Sequence, residues 1–299
     1  MNIIQAAHGR WRNILSQYMD PEFLTGKHGP CPLCGGKDRF RFMDFQGKGT
    51  WVCNQCETKP SDGIDLLMRY LQLDFKQASA KVREVVGYVE PDPVRKKKDP
   101  RPALDYVSRH ALELSGMDPV SQYLKGRGLN TFRFNSLRYM KRPYYHNGKQ
   151  IGTFDAMIAR ISDKNMRRKS FHVTYLADGK KADVECQKKI MPADGTISGA
   201  AVYLGKGSVC VIAEGIETTL AGIQEFELPG IATISANGME LFDPPDHLQH
   251  AIILADNDKT FTGQRAAYML ANKLYLKGIG CEVIVPDTIG NDYLDEVTQ

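Results

Sequence analysis

The chain has 299 residues, 42% hydrophobic and 25% charged, enough for roughly two domains of about 150 residues and unlike a disordered, collagenous or coiled-coil sequence. No run of about 18 apolar residues occurs, and Met1–Arg12 has no apolar stretch after its basic residues, which argues against a membrane span and a secretory signal and implies a cytoplasmic protein. The formal charge of +4 is uneven: residues 1–120 carry 18 Lys+Arg against 15 Asp+Glu, residues 121–190 carry 16 against 5, and residues 191–299 carry 5 against 15. The basic middle reads as a polyanion-binding surface, and the acidic end as a cation site or a solvated face.

Trp11, Ile14, Leu15 and Tyr18 open the chain with helical spacing, which resumes at Ile64, Leu67, Met68 and Leu71 and again at Ala78, Val82 and Val85. Between them Cys31, Cys34, Cys53 and Cys56 form C-x2-C-x18-C-x2-C. Two such knuckles let four thiolates converge tetrahedrally on zinc, supplying folding energy to a small segment. A redox Cys-x-x-Cys wants one motif beside a βαβ unit, and seven cysteines in all do not suggest a disulfide framework. Four thiolates leave no open position, so the ion is structural, and His28 reads as a surface histidine. The intervening Arg39, Arg41 and Trp51, with Lys37, Phe40, Phe42, Phe45 and Lys48, interleave basic and aromatic residues. Such residues stack unpaired bases and hold phosphates, or the aromatics simply pack the ribbon.

Pro91, Pro93 and Pro100 bracket the basic run Arg95–Lys98, a linker whose charge either solubilises or tethers nucleic acid. The spacing predicts helix over 103–124, then β-rich runs at Ile158–Ile161 and Phe171–Leu176, with a turn at Gly179. From Val209 onward apolar strands (Val209–Ala213, Ile231–Ile234, Ala251–Ala255, Cys281–Val285) alternate with helices (Glu217–Phe226, Gly263–Lys277), the pattern of a mostly parallel sheet covered on both faces. The expected domains are 1–90, the zinc ribbon with its helices; 91–101, the linker; 102–204, a basic α+β subdomain; and 205–299, an α/β domain. The whole is an α+β and α/β multidomain chain.

Glu214 follows one apolar strand, Asp256 and Asp258 follow another, and Asp292 follows a third, at the sheet edge where open α/β folds bind ligands. Together Glu214, Asp256 and Asp258 can hold Mg²⁺, a hard cation that keeps waters and phosphate oxygens in its shell. The plain alternative is that such acids cap the following helices. Glu217, one turn after Glu214, either supports this site or caps its helix.

Val211–Gly215 and Leu254–Asp258 resemble the motifs of a TOPRIM domain, the metal-binding fold of primases, topoisomerases and some nucleases. With Cys31–Gly36, Trp51–Cys56, Ser61–Asp65 and Tyr123–Leu129 added, the chain resembles the TOPRIM-type DNA primases of phages, plasmids and integrative mobile elements over most of residues 28–299. The resemblance implies Glu214 as general acid/base or metal-organising carboxylate, Asp256 and Asp258 as ligands of a catalytic Mg²⁺ or Mn²⁺, and Asp292 as a further acidic contributor. It departs from the family at Thr218, where replicative primases commonly carry Asp. It implies RNA primer synthesis on a single-stranded DNA template from ribonucleoside triphosphates, with residues 102–204 as the basic part of the polymerase core. There Lys125, Arg127, Arg168 and Lys169 are the chosen nucleic-acid or nucleotide contacts, beside Arg133, Arg138, Lys141, Arg142, Arg160 and Arg167. Lys125 and Arg127 also fit a solvated loop. Lys180–Lys181 and Lys188–Lys189 read as exposed pairs. No Gly-x-x-x-x-Gly-Lys-Ser/Thr occurs, so unwinding is assigned to a separate replicative helicase. The competing readings are a TOPRIM nuclease and a non-catalytic zinc-ribbon protein that binds single-stranded DNA.

Overall fold

A computed structural model of the chain describes residues 3–87, 98–130, 134–146 and 148–297 and divides it into two compact units, Met1–Lys97 and Lys98–Gln299. Residues 91–97 of the expected linker, and Arg133, lie outside the described residues.

In the first unit, helices α1 (Ile3–Ala7) and α2 (Trp11–Leu15) precede an antiparallel ribbon. Its strands β1 (Gly29–Cys31), β2 (Gly35–Phe42), β3 (Trp51–Cys53) and β4 (Glu57–Ser61) neighbour each other in chain order. Helices α3 (Gly63–Leu71) and α4 (Phe75–Val86) follow. Each start has a local cause: Asp62 accepts the Asp65 N–H at the head of α3, and Asp74 and Gln77 form a reciprocal capping box at the head of α4. Trp11, Ile14, Leu15, Phe40, Phe42, Trp51, Leu67 and Val82 share one core. Gly63 is required by that packing, since an added Cβ would lie 2.3 Å from the Trp11 ring.

The second unit opens with α5 (Arg101–His110), β5 (Leu112–Glu113) and α6 (Pro119–Gly126). The single helical stretch expected over 103–124 is thus broken. The first helix ends at His110, where Ala111 turns extended, and Asp118 starts a new helix at Pro119, its carboxylate accepting the N–H groups of Ser115 and Ser121. Strands β6 (Leu137–His146), β7 (Lys149–Ser162), β8 (Arg168–Ala177), β9 (Lys180–Lys181), β10 (Lys188–Ile190) and β11 (Ala201–Leu204) lead into β12 (Val209–Ala213), α7 (Ile216–Phe226), β13 (Gly230–Ala232), α8 (Ala236–Leu241), β14 (His250–Leu254), α9 (Thr262–Leu276), β15 (Gly280–Ile284) and α10 (Tyr293–Val297).

One sheet runs through all of it, in the order β10-β8-β7-β11-β13-β12-β14-β15, with β6 on β7, β5 on β6 and β9 on β8. The parallel sheet anticipated after Val209 is the block β13-β12-β14-β15. Antiparallel β11 joins it to β7, so the basic middle and the acidic end share hydrogen-bonded strands. Period-two alternation separates the faces. Val211, Ala213, Ile252 and Leu254 pack with α6, α7 and α10, while Cys210, Ile212, Ala251 and Ile253 pack with α8 and α9. A further core holds α5 against β7 and β8 through Leu104, Val107, Ile158 and Val173.

Candidate functional site

The ribbon brings its four cysteines together. Their sulfurs lie within 4.8 Å of one another, with Cys31 to Cys56 at 3.7 Å and Cys34 to Cys53 at 3.6 Å. A zinc tetrahedron with bonds of about 2.3 Å has edges of about 3.8 Å, so the sulfurs stand at ligand spacing. The Leu33 N–H donates to Cys31 Sγ at 3.4 Å and the Gln55 N–H to Cys53 Sγ at 3.5 Å. Burial raises the Cys53 thiol, but backbone donors at Cys56 and Gln55 outweigh it and bring the group to about 7. Burial and the neighbouring sulfurs push Cys56 upward. Four adjacent thiolates are compatible only around a cation, which fits zinc and no open coordination position.

The aromatic residues of the ribbon divide. Trp51 is 0% exposed, its indole N–H donates to the Asp62 carbonyl at 3.0 Å, and its ring packs 5.8 Å from that of Phe40. The expectation that Trp51 stacks on bases is therefore corrected, because the ring is inside the ribbon. Phe45 is exposed, as are Arg39 and Arg41, the latter donating to the Gly26 carbonyl. His28 is exposed beside Asp38 at 3.7 Å.

In the second unit, Glu214 stands at the end of β12, Asp256 and Asp258 follow the adjacent parallel strand β14, and Asp292 follows β15. The Ile234 N–H donates to the Glu214 carbonyl at 2.8 Å, with Ile234 held at φ 75°, a costly conformation for a β-branched residue. The Asp256 and Asp292 loops are tied together, as Asn257 N–H donates to the Asn291 carbonyl and Gly290 N–H to the Asn257 carbonyl. Burial, then Asp258, pushes the Glu214 carboxyl above its ordinary range. Burial, then Glu214, Asp292 and Asp258, pushes Asp256 up to about 7. All four carboxylates thus act on one locality, although among the described residues only the cysteines gather three or more ligand atoms around one point.

Two of the four are also structural. Asp258 Oδ2 accepts the Gly263 N–H near the start of α9. Asp292 Oδ1 accepts the Asp295 N–H at α10, and its Oδ2 accepts the Thr218 hydroxyl at 3.2 Å. Asp256 is different: its Oδ1 is buried with no hydrogen-bond partner. A buried, unpartnered carboxylate oxygen acted on by three further carboxylates has the oxygen chemistry that suits a hard divalent cation.

Beside this cluster lies a group that the spacing of the sequence did not reveal. Glu217 is 5% exposed, accepts the Tyr123 hydroxyl at 2.8 Å, and pairs with Lys181 at 3.1 Å and Lys188 at 3.8 Å. Burial opposes its ionisation, but Lys188, Lys181 and Tyr123 outweigh it and hold the carboxyl at about 2. The adjacent His172 is kept low, at about 4, by burial and by the charges of Lys188 and Lys181. Of the lysine pairs expected to be exposed, Lys180 and Lys188 are exposed and Lys181 and Lys189 half-buried, and strand alternation sends the members of a pair to opposite faces. Lys188 goes to the α6–α7 face, whereas Lys189 goes to the other, with its Nζ 3.7 Å from the centroid of the Tyr144 ring.

The remaining basic residues are mixed. Lys125 is exposed and donates to the Gly116 carbonyl, and Arg127 is exposed 3.9 Å from Asp295. Lys169 is half-buried near Gly195. Arg168 donates to Asp105 and to Ser108 at 2.6 Å each, which ties β8 to α5.

Family models match three consecutive stretches: residues 26–64 the zinc-binding domain of primase-helicase, residues 98–204 a domain of unknown function (DUF7146), and residues 209–299 a Toprim domain. The chain carries a primase-helicase zinc ribbon and a Toprim domain. Primase, Toprim and zinc-binding assignments from the sequence agree with this. The Toprim domain contains Glu214, Asp256, Asp258 and Asp292, and the zinc ribbon contains all four clustered cysteines. Among solved structures, the chain is similar to the Aquifex aeolicus primase (zinc-binding and RNA polymerase domains), at 16% identity over 100% of this chain and 82% of that one, with a TM-score of 0.46. It is also similar to the primase fragment of the bacteriophage T7 primase-helicase, at 15% identity, 91% and 94% coverage and a TM-score of 0.40. A DNA primase domain from Pseudomonas aeruginosa matches at 15% identity, 67% and 74% coverage and a TM-score of 0.45. No helix among the described residues is long and apolar enough to cross a membrane.

Proposed function

We propose that the chain is a DNA primase that joins ribonucleoside triphosphates into short RNA primers on single-stranded DNA. The observation that carries this reading is the carboxylate group Glu214, Asp256, Asp258 and Asp292 after neighbouring strands, with one Asp256 oxygen buried and unpartnered. Glu214, Asp256 and Asp258 are the residues that would hold Mg²⁺ or Mn²⁺, with Asp292 behind them. Such an ion supplies charge neutralisation of the triphosphate and polarisation of the reacting oxygens.

In the transfer, the primer 3′-hydroxyl oxygen bonds to the α-phosphorus and the bond to pyrophosphate breaks. Glu214, held above its usual range by burial and then Asp258, is the carboxylate that would accept the hydroxyl proton. The excess of basic residues over 121–190 attracts template and triphosphate, and exposed Arg39 and Arg41 give the zinc ribbon phosphate contacts. Thr218 donates its hydroxyl to Asp292 where the family pattern has a carboxylate, which favours one catalytic ion over two. A separate replicative helicase supplies the unwinding.

The test is incubation of the full chain with single-stranded DNA, labelled ribonucleotides and Mg²⁺. Labelled oligoribonucleotides support the reading. Shortened DNA identifies a nuclease instead, and DNA retarded but unchanged identifies a binding protein.

A further inference from the structure

Glu217 is the most deeply buried carboxylate beside the site, and neither metal ligation nor helix capping accounts for it. A carboxylate removed from water is stable only when paired and hydrogen-bonded, and one ammonium would suffice. Glu217 has two, unequally held. Lys181 is at 3.1 Å with its side chain 28% exposed, while Lys188 is at 3.8 Å and 43% exposed. The Tyr123 hydroxyl, on α6, fixes the carboxylate from the other side. The next residue on α7, Thr218, donates its hydroxyl to Asp292 of the carboxylate cluster, so Glu217 and its lysines lie beside that cluster, and the charge of Lys188 is felt at Glu214 and Asp256. Below it, the His172 Nδ1 and Thr174 Oγ1 are buried without hydrogen-bond partners. The charges do not balance as a closed structural ion pair. They leave Glu217 with one ammonium more than it needs, and Lys188 is the more distant and the more exposed of the two.

We propose that Glu217 is a positioning residue, which anchors Lys181 and holds Lys188 at the rim of the site so that Lys188 is passed to the phosphates of an incoming nucleoside triphosphate. This rests on the primase reading for the identity of the ligand. Lys181 remains on Glu217 and keeps that carboxylate paired when Lys188 leaves, so binding does not strand a buried charge. Tyr123 keeps the carboxylate from following the lysine outward.

The experiment is equilibrium binding of ATP with Mg²⁺ to the full chain, with primer synthesis by the wild type run alongside. Glu217→Gln keeps the volume and the contact with Tyr123 but releases both lysines, and ATP binding weakens by about tenfold or more, the scale of a lost charge-assisted contact. Lys188→Met weakens it by a similar factor, and the double variant binds no worse than Lys188→Met alone, because the two residues act in series. The pairing of Lys188→Met with the double variant reads out the role even if Glu217→Gln lowers stability. In synthesis, the loss falls on KM for ribonucleotides rather than kcat. A wild type that makes primers while Glu217→Gln binds ATP unchanged, or while the two losses add, overturns the positioning role alone. A wild type that binds ATP with these variant losses yet makes no primers overturns the primase reading alone. A wild type that binds no ATP overturns both.

Discussion

Asp258 Oδ2 accepts the Gly263 amide at 2.9 Å, whereas Asp256 Oδ1, two residues earlier on the same strand end, is buried and accepts nothing. The two aspartates of one Asp-x-Asp are therefore unequal: one is anchored to α9, the other presents a bare oxygen. A Cβ on Gly263 would lie 2.5 Å from the Asp256 carbonyl oxygen and 3.0 Å from its Cβ. Gly263→Ala must shift the strand end against the helix without changing any charge. Displacements of this kind cost about a hundredfold in rate. Primer synthesis should fall on that scale with zinc content and DNA binding retained, and an unchanged rate would show that the anchor does not set the site.

Zinc removal should be readable in tryptophan emission. The chain has two tryptophans, Trp11 and Trp51, and both are buried in the core of the first unit that the ribbon helps to build. Chelation, or Cys53→Ser, is expected to red-shift the emission to that of solvated indole and to release one zinc per chain. Emission unchanged after complete loss of zinc would mean that the ribbon holds its core without the metal.

His172 gives a pH dependence with a definite sign. Its folded value is lowered from 6.5 to about 4, by burial and then Lys188 and Lys181, so the unfolded chain takes up a proton that the folded chain refuses. The stability contributed by its neutral form is present above about pH 6.5 and lost as pH falls toward 4. The stability difference between wild type and His172→Gln should change by up to about 3 kcal/mol across that window, against the variant's favour at high pH and toward it at low pH. Denaturant melts at pH 7.5 and 4.5 measure it, and a pH-independent difference would contradict the assignment.

Asp256 acts in the opposite sense. A folded value raised from 3.8 to about 7 means that stability is lost as pH rises between those values. After discounting for the solvent that still reaches this half-buried carboxyl, Asp256→Asn should be more stable than wild type above pH 7, by on the order of 2 kcal/mol without added metal. Mg²⁺ should then raise the melting temperature of wild type but not of the variant. An Asn variant less stable than wild type at pH 8 would show that the carboxylate is not under electrostatic strain.

Much of this was legible in the chain itself. The cysteine spacing fixes the ribbon locally, and β12, α7, β14 and α9 coincide within a residue or so with the runs read from the pattern, because fully buried parallel strands leave continuous apolar stretches. Glu214, Asp256 and Asp258 were legible because they follow their strands within a few residues, whereas Asp292 lies at the far end of the loop after β15. What escaped depended on distant pairing. Trp51 looks like a base-stacking residue until the ribbon closes over it, and the ion pair of Arg168 with Asp105 appears only once α5 packs on β8. Lys181 and Lys188 meet Glu217 only through the register of β9 and β10 on β8, residues at least 29 positions from Glu217 that no local period connects. The break after His110 and the restart at Asp118 depended on the geometry of a cap rather than on the apolar spacing that runs through them.

The most direct measurement is primer synthesis by Asp256→Asn in the full chain, alongside its zinc content and its retention of single-stranded DNA. The expected result is loss of labelled oligoribonucleotides to background, with one zinc and DNA binding as in wild type. Primer synthesis by the Asn variant at the wild-type rate would contradict the assignment of chemistry to this carboxylate cluster.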